Sequence, residues 1–257
     1  MGIAYAELPD YNEGVTEVLE AAYSYMTERK APYVLLVRKA NFEQYRMKKS
    51  FIDSTKMLDM PLREEALNLV CDAFPDVPVV STTGFASREL FELRKMRGES
   101  HRTDFLTVGS MGHCSSIAAG VALGRPDGQT LCVDGDGGCL MHMGAMSTLG
   151  QMGRQGHLKN FKHVLMNNNV HDSVGGQPSA GSTTDFVSLA QSCGYSHSEL
   201  AIGMDDAVEK LKRLSEFSNG PAFLEIKLKP GTRSDLGRPT SSPLDNKNAF
   251  MDFLQER

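Results

Sequence analysis

The sequence predicts an α/β protein: a mostly parallel sheet covered by helices on both faces, in a three-layer αβα arrangement. Three observations predict it. Short apolar runs that read as buried strands alternate with segments of helical spacing throughout residues 61–228. Two of these runs, 131–133 and 163–166, end in polar clusters, Asp134-Gly135-Asp136-Gly137-Gly138 and Asn167-Asn168-Asn169. Between the two lies a segment of helical spacing, 140–152. The stretch 130–178 therefore reads as a βαβ unit whose chemistry sits at the carboxyl ends of both strands, where open α/β sheets bind ligands.

Taken in order, residues 12–28 place Val15, Val18, Leu19, Ala22, Tyr23 and Met26 on one helical face. The continuous apolar run 32–37 then reads as a buried parallel strand. A helix and a strand alone cannot close a core, so this unit must pack on something else. Residues 38–60, charged and rich in Met and Lys, read as a connector. Pro61 opens a helix over 61–73 as its first-turn residue. A strand at 77–81, Thr82-Thr83-Gly84 and a helix over 86–96 follow. The Gly-bearing strand end Thr107-Val108-Gly109-Ser110-Met111-Gly112 leads into a helix of small apolar residues, 113–123. After the βαβ unit come a Gly-rich loop (172–181), helices at 185–193 and 204–217, a strand at 222–228, a basic Gly/Pro-rich segment and a last helix, 246–255.

Composition sets the bounds. A hydrophobic fraction of 40% and a charged fraction of 23% are those of a globular protein, and the net charge of −5 argues against nucleic acid or an anionic membrane as main partner. No apolar run approaches the roughly 20 residues of a membrane span. Residues 1–10 lack the basic start and apolar core of a signal peptide. The five cysteines, Cys71, Cys114, Cys132, Cys139 and Cys193, have no CxxC spacing and read as free thiols in a reducing cytoplasm. No Gly-Lys-Ser/Thr follows the glycines, which disfavours a P-loop nucleotide binder.

The chemistry of the central stretch follows from residue types. Glycines around Asp136 let backbone N–H groups approach an anion, and the helix behind them points its positive end at the same place. A carboxylate combined with phosphate oxygens is the usual way to hold Mg²⁺. Asn168 supplies a neutral oxygen from the neighbouring strand end. The whole reads as a clamp for a metal and a diphosphate.

The order Gly135-Asp136-Gly137 followed by Asn167-Asn168 resembles the signature of thiamine diphosphate enzymes. Within that superfamily TTGFASRELFEL (82–93), TVGSMGHCSSIAAGVAL (107–123), DGDGGCLMHMGAM (134–146), NNNVHDSVGGQP (167–178) and PGTRSDLGRP (230–239) resemble the phosphonopyruvate decarboxylases, so that the likeness extends over 61–257. Sulfopyruvate decarboxylase and acetolactate synthase are poorer matches. The resemblance implies the thiamine diphosphate-binding fold over 51–257, with thiamine diphosphate and Mg²⁺ as cofactors. It makes Asp136, Asn168 and the carbonyl of Val170 the Mg²⁺ ligands. It places Ser87, Arg88, Ser110, Met111, Gly135, Gly137 and Gly138 against the cofactor, Met111 propping its two rings into a bent shape. His113 and His171 follow strand-end loops and are the candidates for catalytic proton transfer or substrate contact. His142, Arg233 and Arg238 are further candidates for a phosphonate.

The implied reaction is the non-oxidative decarboxylation of a 2-oxo acid, phosphonopyruvate yielding phosphonoacetaldehyde and CO₂. The glutamate that protonates the cofactor's pyrimidine ring in this superfamily has no counterpart; Glu7, Glu13 and Glu17 do not match it. Residues 1–50 resemble only the last helix and strand of a pyrimidine-type domain plus a connector. The expectation is an enzyme subunit, inactive without a partner, whose site is completed by a pyrimidine-domain subunit or another copy in a homo-oligomer. The alternatives are a sulfopyruvate decarboxylase beta-type subunit and a non-catalytic cofactor-binding fragment.

Overall fold

The computed structural model describes residues 2–43 and 59–256, and the chain divides into two compact units, Met1–Ser50 and Phe51–Arg257. Most of the connector expected at 38–60 lies outside the described residues.

The first unit is a small βαβ element. Strand β1 (Ala4–Glu7) pairs in parallel with β2 (Tyr33–Leu36), Ala4 opposite Tyr33, and helix α1 (Asn12–Arg29) joins them. The Arg38 guanidinium donates to the Glu7 carboxylate, and Asn41 Nδ2 donates to the Leu8 carbonyl (2.7 Å). The sequence pattern yields α1 and β2 but not β1, whose four residues are too few to show a period.

The second unit carries six parallel strands in the order β4-β3-β5-β6-β10-β9. They are β3 (Val79–Ser81), β4 (Asp104–Leu106), β5 (Thr130–Gly135), β6 (Phe161–Asn167), β9 (His197–Ile202) and β10 (Ala222–Lys227). Residues alternate between the two faces, as the pleat requires. Leu131, Val133, Val164, Met166 and Leu224 face one core, with α2 (Arg63–Ala73), α3 (Phe85–Arg97) and α8 (Met204–Glu216). Cys132, Phe161, Leu165 and Phe223 face the other, with α4 (Cys114–Gly124), α6 (Gly144–Arg154), α7 (Phe186–Cys193) and α9 (Pro243–Gln255). The three layers and the parallel sheet are those expected from the sequence.

Other elements also differ from the expectation. Strand β9 has no apolar run to announce it: it is the edge strand, and of its residues only Ala201 is buried. The helix expected over 140–152 is two helices, α5 (Asp136–Met141) and α6. The break falls at His142, where φ −131° and ψ 43° leave the helical region. Pro61 precedes the helix it was expected to open; Leu62 is the capping residue, and Glu65 accepts from its N–H (2.6 Å). Helix α9 starts three residues before the expected 246, because Ser242 caps it by accepting from Asp245 N–H (3.1 Å) and Pro243 fits the first turn.

The topology fixes where a ligand binds. Helix α3 leaves β3 toward the first core, whereas α5 leaves β5 toward the second. These two strands are neighbours in the sheet. Diverging connections open a crevice between their carboxyl ends, the switch point of an open α/β sheet.

Candidate functional site

The crevice holds a pocket lined by Thr82, Thr83, Phe85 and Ala86 after β3, by 135–138 at the end of β5 and the start of α5, and by Met166, Asn168, Val170 and His171 at and beyond the end of β6. Met111, Arg63, Asp172 and Ser173 complete it. Asp136 and Asn168 are each 3% exposed. The strands before them are adjacent and paired in register up to Gly135 opposite Met166, so the two residues follow the last rungs of one hydrogen-bonded ladder.

Asp136 opens α5 and accepts a hydrogen bond from the Ser179 hydroxyl. Burial pushes its carboxyl above the usual carboxylate range, and the bonds from Ser179 and the Gly137 backbone act in the opposite direction. Ser179 is delivered by a two-residue antiparallel pairing, β7 (Val170–His171) with β8 (Gln177–Pro178), after which Ser179 N–H donates to the Asn169 carbonyl (2.9 Å).

Asn168 is oriented from both ends. Its Oδ1 accepts from Val170 N–H (3.2 Å), and its Nδ2 donates to Asp172 Oδ2 (2.7 Å). The same Asp172 oxygen accepts from Gly231 N–H (3.1 Å) and from Arg63 Nη1 (3.3 Å). Arg63 in turn makes a two-pronged pair with buried Glu89, Nε to Oε2 at 2.7 Å and Nη2 to Oε1 at 3.1 Å. A guanidinium fork on a carboxylate fixes both groups in one plane, so the chain Glu89–Arg63–Asp172–Asn168 holds the amide's rotamer.

Below the pocket the chain is close-packed. Gly112, at φ +87°, abuts α5: a β-carbon there would fall 3.0 Å from the Gly138 carbonyl oxygen. A β-carbon on Gly137 would meet the His171 ring at 2.5 Å and Met111 Cε at 3.1 Å. All five cysteines are free. Burial pushes the thiols of Cys132 and Cys139 up, so they remain protonated packing groups.

The structure brings Met111, Gly135, Asp136, Gly137, Gly138, Asn168, Val170 and His171 to one pocket. It does not bring Ser87, Arg88, Ser110 or His113 to its lining. The Ser87 hydroxyl donates to the Thr82 carbonyl (2.6 Å). Arg88 donates to the Gly237 and Leu236 carbonyls (2.7 and 2.6 Å) and lies 5.0 Å from the centre of the Phe85 ring. Ser110 is exposed with φ 47°. His113 is exposed, its ring 4.7 Å from that of His142 and its Nδ1 3.3 Å from the Met111 carbonyl. Arg233 is paired with Glu64, Glu92 and Asp235. Arg63, Glu89 and Ser179 escaped the sequence reading because none belongs to a local motif: Arg63 meets Asp172 across 109 positions.

The pocket fits a diphosphate with a divalent cation. A buried carboxylate and a buried amide line it together with Gly137 and Gly138, whose backbone at the start of α5 carries no side chain of its own to cover it. Fold and pocket together define a thiamine diphosphate-binding domain, and the chain belongs to that family: the description "Thiamine pyrophosphate enzyme, C-terminal TPP binding domain" matches residues 82–226. Among curated relatives, it is 34% identical over 195 residues to a phosphonopyruvate decarboxylase of Streptomyces viridochromogenes, covering 76% of this chain and 46% of that protein. It is 25% identical to a sulfopyruvate decarboxylase subunit beta of Methanococcus maripaludis, covering 76% of this chain and 98% of that subunit. A benzoylformate decarboxylase structure from Polynucleobacter necessarius shares the fold, with a TM-score of 0.56 at 17% identity over 76% of this chain and 37% of that one. The chain thus spans about half the length of the phosphonopyruvate decarboxylase it matches.

Proposed function

We propose that the chain is the diphosphate-binding part of a thiamine diphosphate- and Mg²⁺-dependent 2-oxo acid decarboxylase, and that its substrate is phosphonopyruvate, released as phosphonoacetaldehyde and CO₂. The observation that carries the reading is the pair Asp136 and Asn168, buried together at the ends of adjacent strands in a pocket shared with Gly137. The 34% identity to a phosphonopyruvate decarboxylase supports the substrate.

Asp136, Asn168 and the Val170 carbonyl hold the metal, and the backbone at Gly137 and Gly138 holds the diphosphate. Bound thiamine diphosphate supplies an electron sink for the pair left behind when CO₂ departs. The chain's own residues hold and shield it. Met111 supports it from the side of the loop before α4. Asp172 and Arg63 keep the Asn168 amide turned toward the metal. His171, in the pocket wall beside Gly137, is placed to hold or pass a proton at its ring nitrogens.

The glutamate of the site comes from a pyrimidine-type domain on a partner subunit or a further copy, and residues 1–50 resemble the tail of such a domain. Without that partner it turns over little. Five free thiols, and no helix among the described residues long and apolar enough to cross a membrane, support a cytoplasmic enzyme. A second reading, a sulfopyruvate decarboxylase beta-type subunit, is favoured by the near-complete coverage of that relative. The test is turnover of phosphonopyruvate, sulfopyruvate and pyruvate by the chain with thiamine diphosphate and Mg²⁺, with and without a co-expressed pyrimidine-domain subunit. Fastest turnover of phosphonopyruvate by the assembled enzyme is expected; preference for either other acid would overturn the substrate.

A further inference from the structure

A second cleft, of about 330 Å³, lies against the Asp136 pocket and shares Thr83, Phe85 and Ser173 with it. Phe85, Thr107 and Val108 wall it, and Arg88 and Arg238 are its charged residues. Among the described residues no carboxylate lines it, in a chain whose net charge is −5. The other nearby cations are already matched: Arg63 by Glu89 and Asp172, Arg233 by Glu64, Glu92 and Asp235. Among the described residues Arg88 donates only to main-chain carbonyls, which leave its charge uncompensated. Arg238 has no hydrogen bond or ion pair among the described residues. The Thr107 hydroxyl, buried at the end of β4, also lacks a partner. By holding the carbonyls of Leu236 and Gly237, Arg88 fixes the backbone immediately before Arg238.

Two uncompensated guanidinium groups at one cleft form a site for an oxyanion, and a planar guanidinium suits a tetrahedral one. The position matches a particular substrate group. In a 3-phosphono-2-oxo acid the phosphorus is two bonds from the ketone carbon, so its site must abut the one that holds the cofactor, as this cleft does. We infer that the cleft receives the phosphonate group of the substrate, with Arg238 as its counter-ion; this rests on the 2-oxo acid decarboxylase reading above.

The test titrates methylphosphonate into the chain saturated with thiamine diphosphate and Mg²⁺. Binding is expected, about tenfold or more weaker in Arg238→Gln and partly restored in Arg238→Lys, with circular dichroism checking the fold of each. In the assembled enzyme, the ratio of kcat/KM for phosphonopyruvate to that for pyruvate should fall about tenfold or more in Arg238→Gln. Equal methylphosphonate affinity in wild type and Arg238→Gln, or an unchanged ratio, overturns the inference. So does displacement of methylphosphonate by the cofactor, which would make the cleft part of the diphosphate site. Methanesulfonate binding as tightly as methylphosphonate would overturn the phosphonate assignment. If the wild-type assembly turns over no phosphonopyruvate, the parent reading fails, and the titration still reports whether Arg238 holds an oxyanion.

Discussion

The His171 ring occupies the space that a side chain at Gly137 would need: a β-carbon there would lie 2.5 Å from His171 Cε1 and 2.6 Å from Nδ1. Gly137→Ala must displace this ring, and with it the end of Met111. The core is untouched, so the fold should persist. Affinity for thiamine diphosphate with Mg²⁺ should drop about tenfold, because ring and thioether are pushed into the pocket. Calorimetric titration of the variant checks this; wild-type affinity would mean that His171 swings aside without consequence for the cofactor.

Asp172 and Asp136 have different duties, and their variants should separate them. On the proposed reading Asp136 is the metal's anionic ligand, so Asp136→Asn should abolish Mg²⁺-dependent cofactor binding. It should leave apo stability equal or higher, since a buried charge is removed while a polar group still meets Ser179. Asp172→Ala frees the Asn168 amide and one end of Arg63 without touching the metal. Its expected cost is about 10- to 100-fold in cofactor affinity, as for other residues that orient a ligand. Equal losses in both variants would contradict the division of roles.

The buried pair of Arg94 and Asp104 ties the end of α3 to the start of β4, with Nε–Oδ2 at 2.9 Å and Nη2–Oδ1 at 3.0 Å. Arg94→Met leaves the Asp104 carboxylate buried without its cation and should destabilise by about 3–5 kcal/mol in urea denaturation. The double variant Arg94→Met/Asp104→Leu should regain most of that. Failure to regain it would show that the pair's geometry, rather than the stranded charge, sets the cost.

Lys162 lies in the middle of the sheet, fully buried, its Nζ donating to the Phe217 carbonyl (2.5 Å) above that residue's ring. Burial lowers its ammonium from the ordinary 10.5 to about 8. The folded chain therefore binds fewer protons than the unfolded one between these values, and stability should rise as pH climbs from 8 to 10.5. Below 8 the full penalty applies, so Lys162→Met should stabilise by about 1–3 kcal/mol near pH 7. Denaturation midpoints at several pH values test both; a flat profile would argue that the ammonium is solvated.

The parts of this protein that the sequence reveals are those in which one physical demand dominates. Strands β5, β6 and β10 are buried on both faces, so each shows a run of successive apolar residues (Leu131–Val133, Val164–Met166, Ala222–Leu224), and the ends of β5 and β6 show as Gly, Asp and Asn. Asp136 and Asn168 are legible for a related reason: polar residues flanked by glycine or asparagine at the end of a buried strand have little else to do. Strand β9 escapes because an edge strand satisfies no such demand. Arg63 and Ser179 escape because their partners are set by the closed fold. For His113 and Arg88 the sequence leaves the direction open: each follows a strand-end loop, and in the structure one ring turns to His142 and the other side chain to the 236–237 carbonyls. Proximity along the chain does not fix where a side chain points.

The grip of Arg88 on the 236–237 carbonyls is blind to identity, since every residue at those two places would present the same oxygens. It is sensitive to length, because one inserted or deleted residue would bring the wrong carbonyls into the fork. As far as this grip is concerned, a changed side chain at 236 or 237 should cost less than one residue inserted or deleted there, a difference that a library of substitutions and single-residue insertions and deletions at those two places would display.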